Sequence, residues 1–423
     1  MQYKIFPPEN IDATVGLTSS KSISNRALII HALAGGAFSG NDKADVLPAN
    51  LSVCDDTTVL LNALRDMPDV IDIGASGTAM RFLTAYLAVT PGEHVLTGNE
   101  RMQQRPIGEL VDALRYFGAD IEYVGNAGFP PLRIRGRKLD GGHVKIAGNI
   151  SSQFISAMLM IGPTLKNGLS LHLTTTTVSR SYIDLTLWAM SEYGAEAEWT
   201  DVDTITVSPK PYKLCPYIIE NDWTAASYWY AISLLLNNRT SRIVMKGLMD
   251  GSKQGDSVVK YIFNLMGVRT AFKSRTSNKP TDVLLTTRPC TLPRLEYNFV
   301  NSPDLAQTLI ATCCALEIPF RFTGVQSLHI KETDRVEAMK TEMRKLGLVL
   351  HNDNDNDIYW DGEKCQPSLE PIDTYDDHRT AMAFAPLAVK HPGLTIRDPE
   401  VVSKSYPKFW DDMRTAGFRI EEI

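Results

Sequence analysis

The chain has 423 residues, a formal net charge of −6, 43% hydrophobic and 22% charged side chains. At about 150 residues per domain this length suggests two or three domains, with the composition of an ordinary globular protein. The acidic balance excludes bulk nucleic-acid or membrane-surface binding, and the lack of any run of about 18 apolar residues excludes a transmembrane helix.

In chain order, residues 1–9 do not read as a signal peptide, because Pro7, Pro8 and Glu9 interrupt any apolar core. Ser19-Ser20-Lys21-Ser22-Ile23-Ser24-Asn25-Arg26 then runs into the small, apolar stretch 27–34, ending at Gly35-Gly36. A helix apolar on every face is buried, so its start presents free N–H groups, Lys21 and Arg26 to something polar. That is an anion site or an ordinary Ser-rich cap. The pattern recurs: Gly77-Thr78-Ala79-Met80-Arg81 opens 82–89, and Ser151-Ser152-Gln153 opens 154–161. Asp222-Trp223-Thr224 opens 225–236, Ser302-Pro303-Asp304 opens 305–316, and Asp376-Asp377-His378-Arg379 opens 380–389.

Each buried helix is followed by an amphipathic one, at 55–67, 106–117, 182–193, 256–266, 333–346 and 406–416. Gly118, Gly194, Gly267, Gly347 and Gly417 are placed to end five of them. Between the helices lie β-branched runs at 93–96, 132–134, 143–146, 170–173, 204–207, 242–245, 283–286, 320–322 and 394–397. The last four glycines are spaced by roughly 70 to 80 residues, the period of a repeated unit. The pattern predicts six βαβαββ-like copies split three and three, with Glu220-Asn221-Asp222 as a crossover, in an α/β (α+β) architecture. A cleft between the halves is the expected ligand site.

Local cations are the chemical signal. Arg101 and Arg105 precede a helix, and arginine forks match phosphate and carboxylate. In His329-Ile330-Lys331-Glu332-Thr333-Asp334-Arg335, Lys331 and Arg335 are placed to hold an anion and to tune the Glu332 carboxylate. Surface salt bridges are the other reading. Asp304 reads as an N-cap or a general base, and Lys404 alone reads as a solvated lysine. Asn352 to Asp357 reads as a solvated turn. No metal-ligand or nucleotide-binding motif occurs, so neither a metal nor a cofactor is expected. Six cysteines lack CxxC spacing and Cys313-Cys314 falls in a buried helix, which points to a reducing cytoplasm.

Taken together, SKSISNRALI (19–28), GTAMRFLTA (77–85), LTGNERMQQRPIGELVDAL (96–114), SSQF (151–154), IKETDR (330–335), DDHR (376–379) and SKSYP (403–407) closely resemble the 3-phosphoshikimate 1-carboxyvinyltransferases, or EPSP synthases. The resemblance spans nearly the whole chain. It implies transfer of the enolpyruvyl group of phosphoenolpyruvate to the 5-hydroxyl of shikimate 3-phosphate. It also implies a two-domain, inside-out α/β barrel-like fold closing on its substrates, with residues 1–20 and 221–423 in one half and 21–220 in the other.

By that resemblance Asp304 takes the hydroxyl proton and Glu332 handles the proton at C3, with Lys21 a competing candidate for proton transfer. Shikimate 3-phosphate is expected on Lys21, Ser22, Arg26, Ser151, Ser152, Gln153, Ser179, Tyr182, Asp304 and Lys331. Phosphoenolpyruvate is expected on Lys21, Gly77, Arg105, Gln153, Arg335, Arg379 and Lys404, with Gly77 leaving room for the ligand beside the backbone. A cytoplasmic monomer is implied, with glyphosate as an inhibitor. Ala75, Phe82 and Ser327 depart from the family's usual Asn, Pro and Asn. Two alternatives are a transferase acting on UDP-N-acetylglucosamine and a non-catalytic anion-binding protein on the same scaffold. The first is disfavoured by Ser22 after Lys21 and by the lack of cysteine between Cys54 and Cys215.

Overall fold

The computed structural model describes residues 1–38, 47–274 and 279–423. The chain divides into two compact units, Met1–Thr18 with Glu220–Ile423 (the first unit) and Ser19–Ile219 (the second).

The second unit holds two four-stranded sheets built by one rule. In one, Val70–Asp72 and Gly92–Thr97 are parallel neighbours joined through the helix Gly77–Val89. A second helix, Gly108–Tyr116, leads to Asp120–Tyr123, and Leu132–Gly136 returns antiparallel between that strand and Gly92–Thr97. The other repeats the order with Gly142–Ile146, Leu169–Leu173, Thr204–Val207 and Ala197–Asp201, around the helices Ser152–Ile161 and Arg180–Glu192. A parallel pair needs a crossover, and an antiparallel pair needs only a tight turn, so a βαβαββ string folds this way each time. Leu169, Leu171 and Leu173 are buried while the residues between them are half-buried, the period-two signature of a one-sided strand. The third copy is represented among the described residues by the helices Lys21–Leu33 and Asp55–Asp66 and by a parallel bridge between Ala49 and Ile218.

The first unit holds three sheets of the same design. Asp12–Val15 pairs in parallel with Arg242–Leu248, followed in order by Thr281–Thr287 and Val268–Phe272. The helix Trp223–Leu236 belongs to this copy, so the second unit is inserted between its first strand and its first helix. The next copy pairs Leu295–Asn298, Phe320–Thr323 and Asp357–Trp360, with the remaining strand position reduced to the antiparallel bridges Leu348–Lys364 and His351–Tyr359. In the last copy Leu394–Arg397 and Arg419–Glu422 flank Gln2–Phe6, and Ile372 bridges Ile396 in parallel. The chain's first strand therefore completes its last repeat.

The apolar helices are internal: every residue from Trp223 to Leu235 is buried, as is every residue from Phe154 to Ile161. The amphipathic ones cover them; Gly108–Tyr116 buries only Leu110, Val111, Ala113 and Leu114. All five expected stop glycines have positive φ, from 81° at Gly194 to 113° at Gly267. Several helices are shorter than expected. Pro386 turns 385–389 into a 3₁₀ segment after the helix His378–Phe384. The expected 406–416 helix begins only at Phe409, and 256–266 opens as a 3₁₀ turn before the helix Val259–Met266.

Candidate active site

In the second unit the starts of four helices are tied to one another. Lys21 Nζ, at the first residue of Lys21–Leu33, is 2.9 Å from Asp56 Oδ2 in the first turn of Asp55–Asp66. The Ser76 hydroxyl caps Gly77–Val89 through Ala79 N–H and reaches the Asp56 carbonyl at 3.5 Å. Gln153 Nε2 donates to Thr78 Oγ1 at 3.4 Å, joining the starts of Ser152–Ile161 and Gly77–Val89. Ser151 caps its helix by accepting from Gln153 N–H, and Ser152 is that helix's first residue. Positive dipole ends brought together in this way form an anion-attracting surface.

Arg26 is the internal staple. Its guanidinium donates to the Ser22 carbonyl (2.8 Å), Thr186 Oγ1 (2.6 Å), Ser156 Oγ (3.2 Å) and the Tyr182 carbonyl (3.2 Å). It also lies 5.4 Å from the Phe82 ring centroid and 5.9 Å from that of Tyr182. Burial pulls it down to about 10, so it remains a cation at neutral pH. Phe82 thus supplies one aromatic wall beside Arg26. Ser179 precedes Arg180–Glu192 in the left-handed conformation (φ 56°) and makes no side-chain cap. At Gly77 an added Cβ would lie 2.8 Å from Arg105 Nη1. The missing side chain makes room for that arginine, whereas the sequence suggested room for a ligand.

In the first unit three carboxylates and three cations interlock. Arg335, first residue of Arg335–Lys345, donates from Nε to Asp377 Oδ2 (2.6 Å), from Nη2 to Glu332 Oε2 (2.9 Å) and from Nη1 to Asp304 Oδ1 (3.2 Å). Arg379 Nη2 reaches the other Asp304 oxygen at 2.7 Å, and Lys404 Nζ the other Glu332 oxygen at 3.0 Å. Burial disfavours the Arg335 charge, but Asp377, Glu332 and Asp304 outweigh it and hold the guanidinium above its usual range. The Tyr228 hydroxyl lies 3.5 Å from Arg379 Nη1 and is pushed up to about 12, chiefly by burial. Behind them the Asp256 carboxyl, bonded to the Thr224 hydroxyl, is pushed up by burial and then by the charge of Asp304.

The expected site residues therefore fall into two groups. Lys21, Ser22, Arg26, Gly77, Arg105, Ser151, Ser152, Gln153, Ser179 and Tyr182 belong to the second unit, and Asp304, Lys331, Glu332, Arg335, Arg379 and Lys404 to the first. Asp304 lies in the 3₁₀ turn Pro303–Leu305, while Leu305 is the N-cap residue of Ala306–Ala315; its carboxylate faces the two arginines. Lys404 is 12% exposed and paired, unlike the solvated lysine that its sequence context suggests. Asp56, Asp377, Tyr228 and the Asp256–Thr224 pair were missed. Of these only Asp377 carried a usable signal, as the cap residue before His378-Arg379.

The family model for EPSP synthase (3-phosphoshikimate 1-carboxyvinyltransferase) matches residues 5–413. The chain belongs to the EPSP synthase family. It is 54% identical over 422 residues to the 3-phosphoshikimate 1-carboxyvinyltransferase of Bacteroides fragilis, covering 100% of this chain and 99% of the relative. With that of Shewanella halifaxensis it shares 33% identity over 432 residues, covering 97% and 98%. Among solved structures, EPSP synthase from Acinetobacter baumannii superposes with a TM-score of 0.76 at 20% identity, covering 100% of both chains. The enolpyruvyl transferase NikO from Streptomyces tendae gives 0.70 at 15% identity, covering 99% of this chain and 98% of that one. Both show the EPSP synthase fold in this chain, two domains of repeated α/β units.

Proposed function

We infer that this chain transfers the enolpyruvyl group of phosphoenolpyruvate to the 5-hydroxyl of shikimate 3-phosphate, releasing phosphate. The observation that carries the reading is the interlocked set in the first unit, where Asp304 and Glu332 each bridge two cations. The reaction needs that combination. C3 of phosphoenolpyruvate gains a proton while the hydroxyl loses one and attacks C2; the tetrahedral intermediate then expels phosphate and gives up a methyl proton. Two acid–base groups must stand beside cations that hold the phosphate and carboxylate. Asp304 takes the hydroxyl proton, Glu332 serves C3, and Arg335, Arg379 and Lys404 hold phosphoenolpyruvate.

In the second unit Lys21, Ser151, Ser152, Gln153, Ser179 and Tyr182 hold shikimate 3-phosphate at the joined helix starts, with Arg26 fixing their spacing. Arg105, lodged against Gly77, turns to phosphoenolpyruvate. In the first unit Asp304 and Lys331 are proposed as further shikimate 3-phosphate contacts. The six charges of Asp304, Glu332, Asp377, Arg335, Arg379 and Lys404 cancel. An arriving anion competes with Glu332 for Arg335 and Lys404 and so favours proton uptake by that carboxylate. Binding would then prepare the acid that the first step consumes.

The unpaired cysteines support a reducing cytoplasm as the working compartment. A monomeric protein is proposed, with glyphosate, an anion of similar size, as a competitor. The test is phosphate release from phosphoenolpyruvate with shikimate 3-phosphate or UDP-N-acetylglucosamine as acceptor. Release with shikimate 3-phosphate alone is expected. Release with the sugar nucleotide would move the chain to a sister activity, and release with neither would leave an anion-binding protein.

A further inference from the structure

We propose that Asp377 is a positioning residue for phosphoenolpyruvate, a single buried carboxylate that aims both Arg335 and Arg379. The inference rests on the functional reading above and adds a residue to it. Asp377 is fully buried, directly preceding the helix His378–Phe384. Its Oδ2 accepts from Arg335 Nε at 2.6 Å and its Oδ1 from Nη2 at 3.3 Å, a two-point grip on one edge of the guanidinium. Such a grip fixes the plane of the fork as well as its charge. Nη1 and the rest of Nη2 are then directed to the opposite edge, where Asp304 and Glu332 stand at 3.2 and 2.9 Å.

The same Oδ1 accepts from the Arg379 backbone N–H at 2.9 Å, capping the helix that carries Arg379. The Arg379 side chain in turn reaches Asp304 at 2.7 Å. One carboxylate therefore sets the direction of one arginine through its side chain and of the other through its helix. Its own backbone is anchored, since Asp377 N–H donates to the Thr374 carbonyl at 2.9 Å and Thr380 N–H to the Asp377 carbonyl at 3.1 Å. The His378 ring, a further titratable group, has its Nδ1 3.6 Å from Asp377 Oδ1.

Asp377 is an unsuitable substrate contact, being sealed from solvent and negative like the ligand. It is instead the counter-charge that stays with the buried Arg335 when an anion takes the places of Asp304 and Glu332. Asp304 and Glu332 can exchange partners during the reaction because Asp377 does not.

The experiment compares Asp377→Asn, Asp377→Ala, Arg335→Met and the Arg335→Met/Asp377→Asn double variant in steady-state assays. Asn keeps the helix cap and the volume but removes the negative charge that faces Arg335. The expected result for Asp377→Asn is a KM for phosphoenolpyruvate raised about 100-fold, the scale of an angstrom-sized misplacement. The KM for shikimate 3-phosphate should stay within about threefold. Asp377→Ala should lose more of both phosphoenolpyruvate affinity and Tm, because the cap goes too. The double variant should match Arg335→Met alone, since Asp377→Asn acts through Arg335. It buries no unpaired charge at that pair, so it carries the test even if Asp377→Asn fails to fold. A phosphoenolpyruvate KM near wild type in Asp377→Asn, or a double variant clearly worse than Arg335→Met, overturns the proposal. Wild-type protein inactive with shikimate 3-phosphate would overturn the functional reading as well; an active wild type with an unchanged Asp377→Asn overturns this inference alone.

Discussion

Lys21 and Arg26 stand five residues apart on one helix and carry the same charge, yet the fold gives them different work. Arg26 spends its donors on Ser22, Ser156, Tyr182 and Thr186, while Lys21 pairs with the Asp56 carboxylate. Lys21→Ala should weaken shikimate 3-phosphate binding by about 1.5 to 3 kcal/mol, the worth of a charge-assisted contact; unchanged affinity by titration calorimetry would remove Lys21 from the ligand set. Glu332→Gln should slow turnover by about 10² to 10⁴-fold while both ligands still bind. It should also abolish proton uptake on binding, read as the dependence of the calorimetric heat on buffer ionisation. Turnover near wild type would take Glu332 out of the chemistry. Residue types and helix starts were visible in the chain because capping and charge are local. The pairs were not. Lys21 meets Asp56 and Arg335 meets Asp377 only after distant helices pack, and no spacing announces such a contact.

At the scale of elements, buried and covering helices were legible from which faces carry apolar residues, and their ends from glycine. Gly267 sits at φ 113°, and a Cβ there would come 2.5 Å from the Arg288 carbonyl oxygen. Gly267→Ala should therefore cost more than about 1 kcal/mol, since backbone strain and the clash outweigh any entropy gain. A denaturant midpoint equal to wild type would contradict that. Strand pairing was only partly legible. The runs at 143–146 and 170–173 were recognised, but the partners of 2–6 and 12–15 lie hundreds of residues away, beyond the reach of any local pattern. Helix beginnings such as Ala306 and Val259 were placed early because a 3₁₀ turn has the same composition as a first helical turn.

For the whole molecule, the first unit is made from two separated stretches and the second from one. Glu220 opens the returning stretch: it is buried, receives the Ser252 hydroxyl at 2.7 Å and is pushed up from 4.5 to about 7, chiefly by burial. A carboxyl with a raised folded value binds its proton more tightly when folded, so stability falls as pH rises from about 4.5 to 7 and is level above that. Glu220→Gln should be the more stable protein at pH 8, by up to about 3 kcal/mol, and no more stable than wild type at pH 4. Denaturant midpoints that differ equally at both pH values would refute this. Removing residues 1–6 should cost far more than fraying a terminus, because Gln2–Phe6 is the middle strand between Leu394–Arg397 and Arg419–Glu422. The loss should appear as aggregation or early melting of the truncated protein; a melting curve like that of the full chain would refute it. The same strand also sets an order of assembly during synthesis. At about 5 to 20 residues per second, its last partner leaves the ribosome roughly 20 to 80 seconds after it does. Through that interval the newborn chain carries a strand with two open edges while the contiguous second unit can already close around its own core.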